Sequence, residues 1–113
     1  MTKLERLQAQ SFLQYCEVMD FCADLSNDEA DIETAQMFNL ECEKAFGEGW
    51  TSDDVVLIND DAFEDYCYDY ILDTMKIPDE ILPYIDLEKL ARDYKVDYYP
   101  VNFGKFTFWG WYV

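Results

Sequence analysis

Apolar residues between Lys3 and Leu25 recur at three-and-four spacing: Leu4, Leu7, Phe12, Tyr15, Cys16, Met19, Cys22 and Leu25. That period predicts one amphipathic helix over 3–25, with Thr2 placed to cap it. Ser26-Asn27-Asp28 then reads as a stop and restart. Ser26 or Asn27 is the expected N-cap of the next helix, and Glu29 completes a capping box if Ser26 fills that place. The second helix runs to about Phe46, with Ala30, Ala35, Phe38, Cys42 and Phe46 inward, and ends at Gly47 and Gly49. Together the two helices make a hairpin.

Beyond Trp50 and Thr51 the period changes. Val55-Val56-Leu57-Ile58 is a β-branched apolar run too short for a helix, and it predicts a strand. A helix begins near Asp60 or Asp61, with Phe63, Tyr66, Cys67, Tyr70 and Ile71 as its apolar stripe. It stops at Ile77-Pro78, because proline lacks the N–H that continues a helix. A short helical segment over 79–84 ends or bends at Pro83. Asp86 then caps a helix over 87–94 that turns Leu87, Leu90, Ala91 and Tyr94 inward. The final segment reads as a β-hairpin turning over Asn102 to Lys105, centred on Gly104. Its second strand alternates Phe106, Phe108, Gly110 and Tyr112 with Thr107, Trp109, Trp111 and Val113, so large aromatics occupy both faces. One set covers the core. Trp109 and Trp111 need cover from the N-terminal helices or from a second chain, which leaves a homodimer open.

The predicted class is α+β: a helical hairpin over 1–49 packed on an acidic α+β unit over 50–113, with a short strand and a C-terminal aromatic β-hairpin, forming one compact body. The 113 residues are 50% hydrophobic and 18% aromatic, which is enough for a buried core and excludes a disordered chain.

Charge changes the picture most. Against 8 bases stand 25 acids and no histidine, for a net charge of −17. That field excludes unaided binding to nucleic acid or to an anionic membrane and calls for a basic protein partner. The acids are also localised: between Leu7 and Met75 the one base is Lys44. A halophilic proteome would give the same excess, although the many aromatics argue against it.

Within the helix from Asp60, Asp61, Asp65, Asp69 and Asp73 recur every four residues with Glu64 beside them. Like charges at that spacing cost about 0.2–0.5 kcal/mol per pair, and Asp is a poor helix former, so stability alone does not favour the arrangement. Each step rises about 6 Å and turns some 40° past a full circle, setting the carboxylates roughly 7–8 Å apart. Successive phosphates of one DNA strand, about 3.4 Å apart along the axis, reach a similar spacing of about 7 Å once winding is added. The row therefore implies an imitation of a nucleic-acid backbone. A solvated acidic face is the plainer alternative.

Other chemistries fit less well. Exposed acids at i and i+4 lack the pocket that shifts carboxyl pKa values for catalysis, so no catalytic residue is assigned. The windows NDEADIETAQMF and NDDAFEDYCYDY lack the glycine that a calcium loop needs at its sixth position. Cys16, Cys22, Cys42 and Cys67 have no metal-ligand spacing and read as core residues of a protein in a reducing cytoplasm, without metal or cofactor. No signal peptide or membrane span is evident. Tyr66, Tyr68, Tyr70, Tyr98 and Tyr99 suggest stacking on bases, but the charge has the wrong sign for that role.

The stretch IPDEILPYIDLEKLARDYKVDYYPV, with Tyr84-Ile85-Asp86 and Ala91-Arg92-Asp93, resembles the C-terminal part of the ArdA-type antirestriction proteins, and DDAFEDYCYDYILD fits the segment before it. The resemblance covers roughly residues 55–113. Family members are longer, with three small domains in a dimerising rod, and their upstream blocks are not recognisable here. What the resemblance implies is an acidic DNA mimic carried by a phage or mobile element and acting in the host cytoplasm. Its partner would be a basic DNA-binding defence protein, a restriction–modification enzyme or a CRISPR effector. Asp86 as a cap and Arg92 as a local ion-pair partner would maintain the fold.

Two functions follow from these features. In the first, Asp53, Asp54, Asp60, Asp61, Glu64, Asp65, Asp69 and Asp73, extended by Asp24, Asp28, Glu29, Asp31 and Glu33, occupy a protein's DNA-binding channel. In the second, the chain is an acidic adaptor or immunity-type protein that grips one basic patch through Trp109, Trp111 or Trp50 as anchors.

Overall fold

Four short strands carry the architecture. The structure, a computed structural model, describes residues 1–52 and 55–111; Asp53 and Asp54, Tyr112 and Val113 lie outside the described residues. Strands β1 (Phe12–Leu13), β2 (Leu57–Asn59), β3 (Tyr98–Phe103) and β4 (Phe106–Trp111) form one antiparallel sheet in the order β1-β2-β4-β3. The helices are α1 (Lys3–Gln8), α2 (Tyr15–Ala23), α3 (Glu29–Phe46), α4 (Asp60–Thr74) and α5 (Leu87–Lys95). The class is α+β. The hairpin β3–β4 forms as its alternation predicts: Phe103 pairs with Phe106 across Gly104 and Lys105, and Gly104 takes the φ of 63° that suits glycine.

The N-terminal segment departs from the expected single helix. Asp28, rather than Ser26 or Asn27, caps α3 by accepting from the Ala30 N–H, and the stretch before it breaks into α1, β1 and α2. At the break, Phe12 and Leu13 pair with Ile58 and Leu57. The inward residues shift with it: Leu13 and Val18 are buried, whereas Phe12 and Cys16 are exposed and Leu25 is 95% exposed. The break is held by Asn59. This buried side chain accepts from the Asp61 N–H to cap α4, while its Nδ2 donates to the carbonyls of Gln8 at 3.2 Å and Gln10 at 3.1 Å. Its backbone N–H donates to Ser11 at 2.8 Å. Helical continuation through Gln8–Ser11 would withdraw those carbonyls from Asn59 and leave a buried amide unsatisfied.

Because side chains alternate along each strand, the sheet has two dissimilar faces. Leu57, Val101, Phe103 and Phe108 join Val18 of α2 and Ala35, Phe38 and Cys42 of α3 in the larger core, where the Phe38 and Phe103 rings stack at 4.1 Å. Trp50, in the 3-10 turn Gly47–Ser52, is fully buried there and donates its indole N–H to Asn39 Oδ1 at 2.8 Å. Gly110 is needed on this face, since a Cβ there would overlap the Phe46 ring and come within 2.7 Å of Leu57 Cδ2. Ile58 and Trp109 point to the opposite face, where Phe63 and Cys67 of α4 and Ala91 of α5 pack. Burial pushes the Cys67 thiol up to about 11, and that of Cys42 higher still.

Smaller differences follow from local geometry. Of the helix expected over 79–84, a 3-10 turn at Leu82–Tyr84 forms. Arg92 is exposed and makes no ion pair among the described residues. Asp86 caps α5 as expected, accepting from the Lys89 N–H. At the sheet edges, β1 has two residues and β3 carries Pro100, both of which discourage edge-to-edge pairing.

Asn59→Ala removes an N-cap and leaves the Gln8 and Gln10 carbonyls without their donor. It is expected to lower stability by about 2–4 kcal/mol, read as a shift in the urea midpoint. A loss under about 1 kcal/mol would show that the junction is held by other contacts.

Candidate functional site

Helix α4 carries the predicted site. It buries Phe63, Cys67 and Ile71 and exposes Asp61, Glu64, Asp65, Asp69 and Asp73. Both rows advance by four residues, so they drift around the axis together, about 40° per step, and the aspartates stay about 160° from the buried row along the helix. The acids thus share one outward face over about 18 Å. Among the described residues, the ion pairs are Lys3–Asp24 at 3.5 Å, Lys44–Glu41 at 3.7 Å and Lys95–Asp60 at 2.7 Å. None of them neutralises Asp61, Glu64, Asp65, Asp69 or Asp73.

Asp60 differs from its neighbours. Its Oδ1 accepts from Lys95 Nζ at 2.7 Å and from the Trp109 indole N–H at 2.9 Å, tying α4 to α5 and β4. The Lys95 hydrogen bond, aided by the one from Trp109, holds its carboxyl below the usual value despite partial desolvation. Asp60 is therefore engaged within the fold. The same contacts cover Trp109, whose ring lies 5.0 Å from Lys95 Nζ and 6.2 Å from the Phe63 ring. No second chain is needed for that residue.

Asp53 and Asp54 lie outside the described residues, and the other predicted acids, Asp24, Asp28, Glu29, Asp31 and Glu33, stand apart from the row. Glu29, Asp31 and Glu33 open α3, which packs on the opposite face of the sheet from α4. Asp28 caps that helix. Asp24 accepts from the Ser26 hydroxyl and backbone N–H, which hold its carboxyl below the usual range, with Lys3 nearby.

Beside α4 lies a feature the periodicity alone did not assemble. Tyr66 and Tyr70 of α4, Tyr94 of α5, Asp97, and Tyr98 and Trp111 of the hairpin line one cavity of about 340 Å³. The signal was present as tyrosines four residues apart in each segment, 66 with 70 and 94 with 98. Their convergence depends on the sheet.

Comparison with protein-family models, with curated proteins and with solved structures finds no match. No helix among the described residues is long and apolar enough to cross a membrane.

Two outcomes test this description of α4. Asp69 and Asp73 lie in its C-terminal half, where the dipole disfavours acids and no base stands in the last turn. Converting both to Asn is expected to raise the melting temperature at low salt by roughly 2–4 °C, with the gain shrinking as salt is added. A fall would show that these acids serve stability.

For Asp60 the sign is opposite. A carboxyl whose folded pKa is depressed stabilises the fold above its unfolded value, about 3.9, and loses that contribution as the pH falls through the lower folded value. The stability difference between wild type and Asp60→Asn is expected to narrow between pH 7 and pH 2, measured by urea titration. A constant difference would mean that the Lys95 pair does not tune this group.

Proposed function

We propose that the chain is an acidic DNA mimic that inhibits a phage- or plasmid-restricting defence protein by occupying its DNA-binding site. The observation that carries this reading is the row Asp61, Asp65, Asp69 and Asp73: outward, without ion pairs among the described residues, and held at roughly 7–8 Å steps by a helix whose opposite side is buried. A rigid row of charge at phosphate-like intervals suits a channel whose lysines and arginines already face a nucleic-acid backbone. The resemblance of residues 55–113 to the ArdA-type antirestriction proteins supports the same class of target. Either a restriction–modification enzyme or a CRISPR effector fits the charge.

The adaptor reading has fewer anchors than its sequence suggested. Trp50 is fully buried and Trp109 is packed against Phe63 and Lys95, leaving Trp111, which is 52% exposed.

The test is capture of the partner from bacteria bearing such defence systems, followed by competition with duplex DNA. The expected result is mutual displacement, weakening from low to high salt. Affinity should fall stepwise, by about threefold to tenfold per change, as Asp61, Asp65, Asp69 and Asp73 are converted to Lys in turn. A partner that binds DNA and this chain at once, or one without a nucleic-acid site, would end the mimicry reading.

A further inference from the structure

The cavity beside α4 has a composition with a chemical meaning. Five aromatic residues, Tyr66, Tyr70, Tyr94, Tyr98 and Trp111, and one acidic residue, Asp97, line it, with no basic residue among them. Tyr70 and Trp111 are about half exposed, so the space is reached from the surface. The rings meet at steep angles: Tyr98 and Trp111 at 87° with centroids 5.4 Å apart, and Tyr70 and Tyr94 at 84° and 5.9 Å. Ring faces in more than one orientation therefore border the space. The Tyr66 and Tyr98 hydroxyls hydrogen-bond to each other at 3.1 Å, one donating, which leaves acceptor lone pairs on both oxygens.

The fold already holds one of its own cations by this chemistry. Lys95 Nζ sits 5.3 Å from the Phe63 ring centre and 5.0 Å from that of Trp109, with Asp60 Oδ1 at 2.7 Å. The outer cavity repeats the combination of aromatic and acidic residues on a chain of net charge −17, with no basic residue in its lining. An apolar occupant would desolvate Asp97 and the phenol oxygens without replacing their hydrogen bonds. A cation answers both.

We propose that this cavity docks an arginine side chain of the basic partner, as a directional anchor beside the diffuse field of the α4 row. Arginine fits better than lysine because its guanidinium is planar, weakly hydrated and stacks on aromatic faces. Its five donors suit a lining whose polar groups are a carboxylate and phenol oxygens. That the guanidinium belongs to a protein partner rests on the function proposed above.

The test uses the full chain and a probe that needs no partner. N-acetyl-arginine amide is titrated by NMR at constant ionic strength, beside the lysine and norleucine analogues. Saturable shifts are expected at the Trp111 indole N–H and the Tyr98 ring, with arginine bound about threefold or more tighter than lysine. Asp97→Asn and Trp111→Ala, each checked for folding by circular dichroism, should weaken binding about threefold or more. Glu48→Gln, in the Gly47–Ser52 turn, should leave it unchanged. The proposal is overturned if norleucine binds as well, if lysine and arginine bind alike, if Asp97→Asn and Trp111→Ala bind as the wild type does, or if nothing saturates. A partner that ignores duplex DNA would end the mimicry reading while leaving this titration unaffected.

Discussion

Asn59 is the buried amide on which the arrangement depends. It ends β2, caps α4, and receives the N-terminal segment through the carbonyls of Gln8 and Gln10. In a low-dielectric setting each of these hydrogen bonds must be present, because a buried amide left without a partner costs about 1–3 kcal/mol. One side chain therefore fixes where the first strand lies and where the acidic helix starts. The phase of α4 follows, and with it the direction in which Asp61, Asp65, Asp69 and Asp73 point.

The helix tolerates its acids because its other side is anchored. Three like-charge steps cost on the order of 1 kcal/mol together, whereas burying Phe63 and Ile71 contributes about 1.5–3 kcal/mol each. Apolar burial wins by a clear margin. Asp60 is the exception that joins the two sets, since its carboxylate is matched by Lys95 and Trp109 and links α4 to α5 and the hairpin. The charged face can thus be held without loosening the fold.

The two sides of the sheet are built for different ends. Toward α3 the core closes, with Phe38 stacked on Phe103, Trp50 sealed beneath, and Gly110 admitting the Phe46 ring. Toward α4 and α5 the packing uses tyrosine. Desolvation pushes the phenol pKa of Tyr98 above its ordinary range, yet Tyr70 and Trp111 stay half exposed. Tyrosine suits such a boundary because it has an apolar body and a polar tip. In the proposed interface, the acidic row supplies attraction with little direction, and the aromatic cavity supplies direction with little range.

The sequence by itself determined the helices whose apolar period is unbroken. In α3 and α4, Phe38 and Cys42, and Phe63, Cys67 and Ile71, recur where a 3.6-residue period needs them, and the hairpin is legible from Gly104 and its flanking alternation. It also determined that the acids of α4 share a face, since identical spacing of the acidic and apolar rows requires it. Tertiary structure decided the rest. The break of the N-terminal helix depends on hydrogen bonds from Asn59, some fifty residues away, and a local period carries no trace of them. The engagement of Asp60 within the fold, the separation of the α3 acids to the far face, and the gathering of Tyr66, Tyr98 and Asp97 around one cavity all depend on strand order and on which face each helix covers. Those are non-local choices, made by side chains that meet only once the sheet has formed.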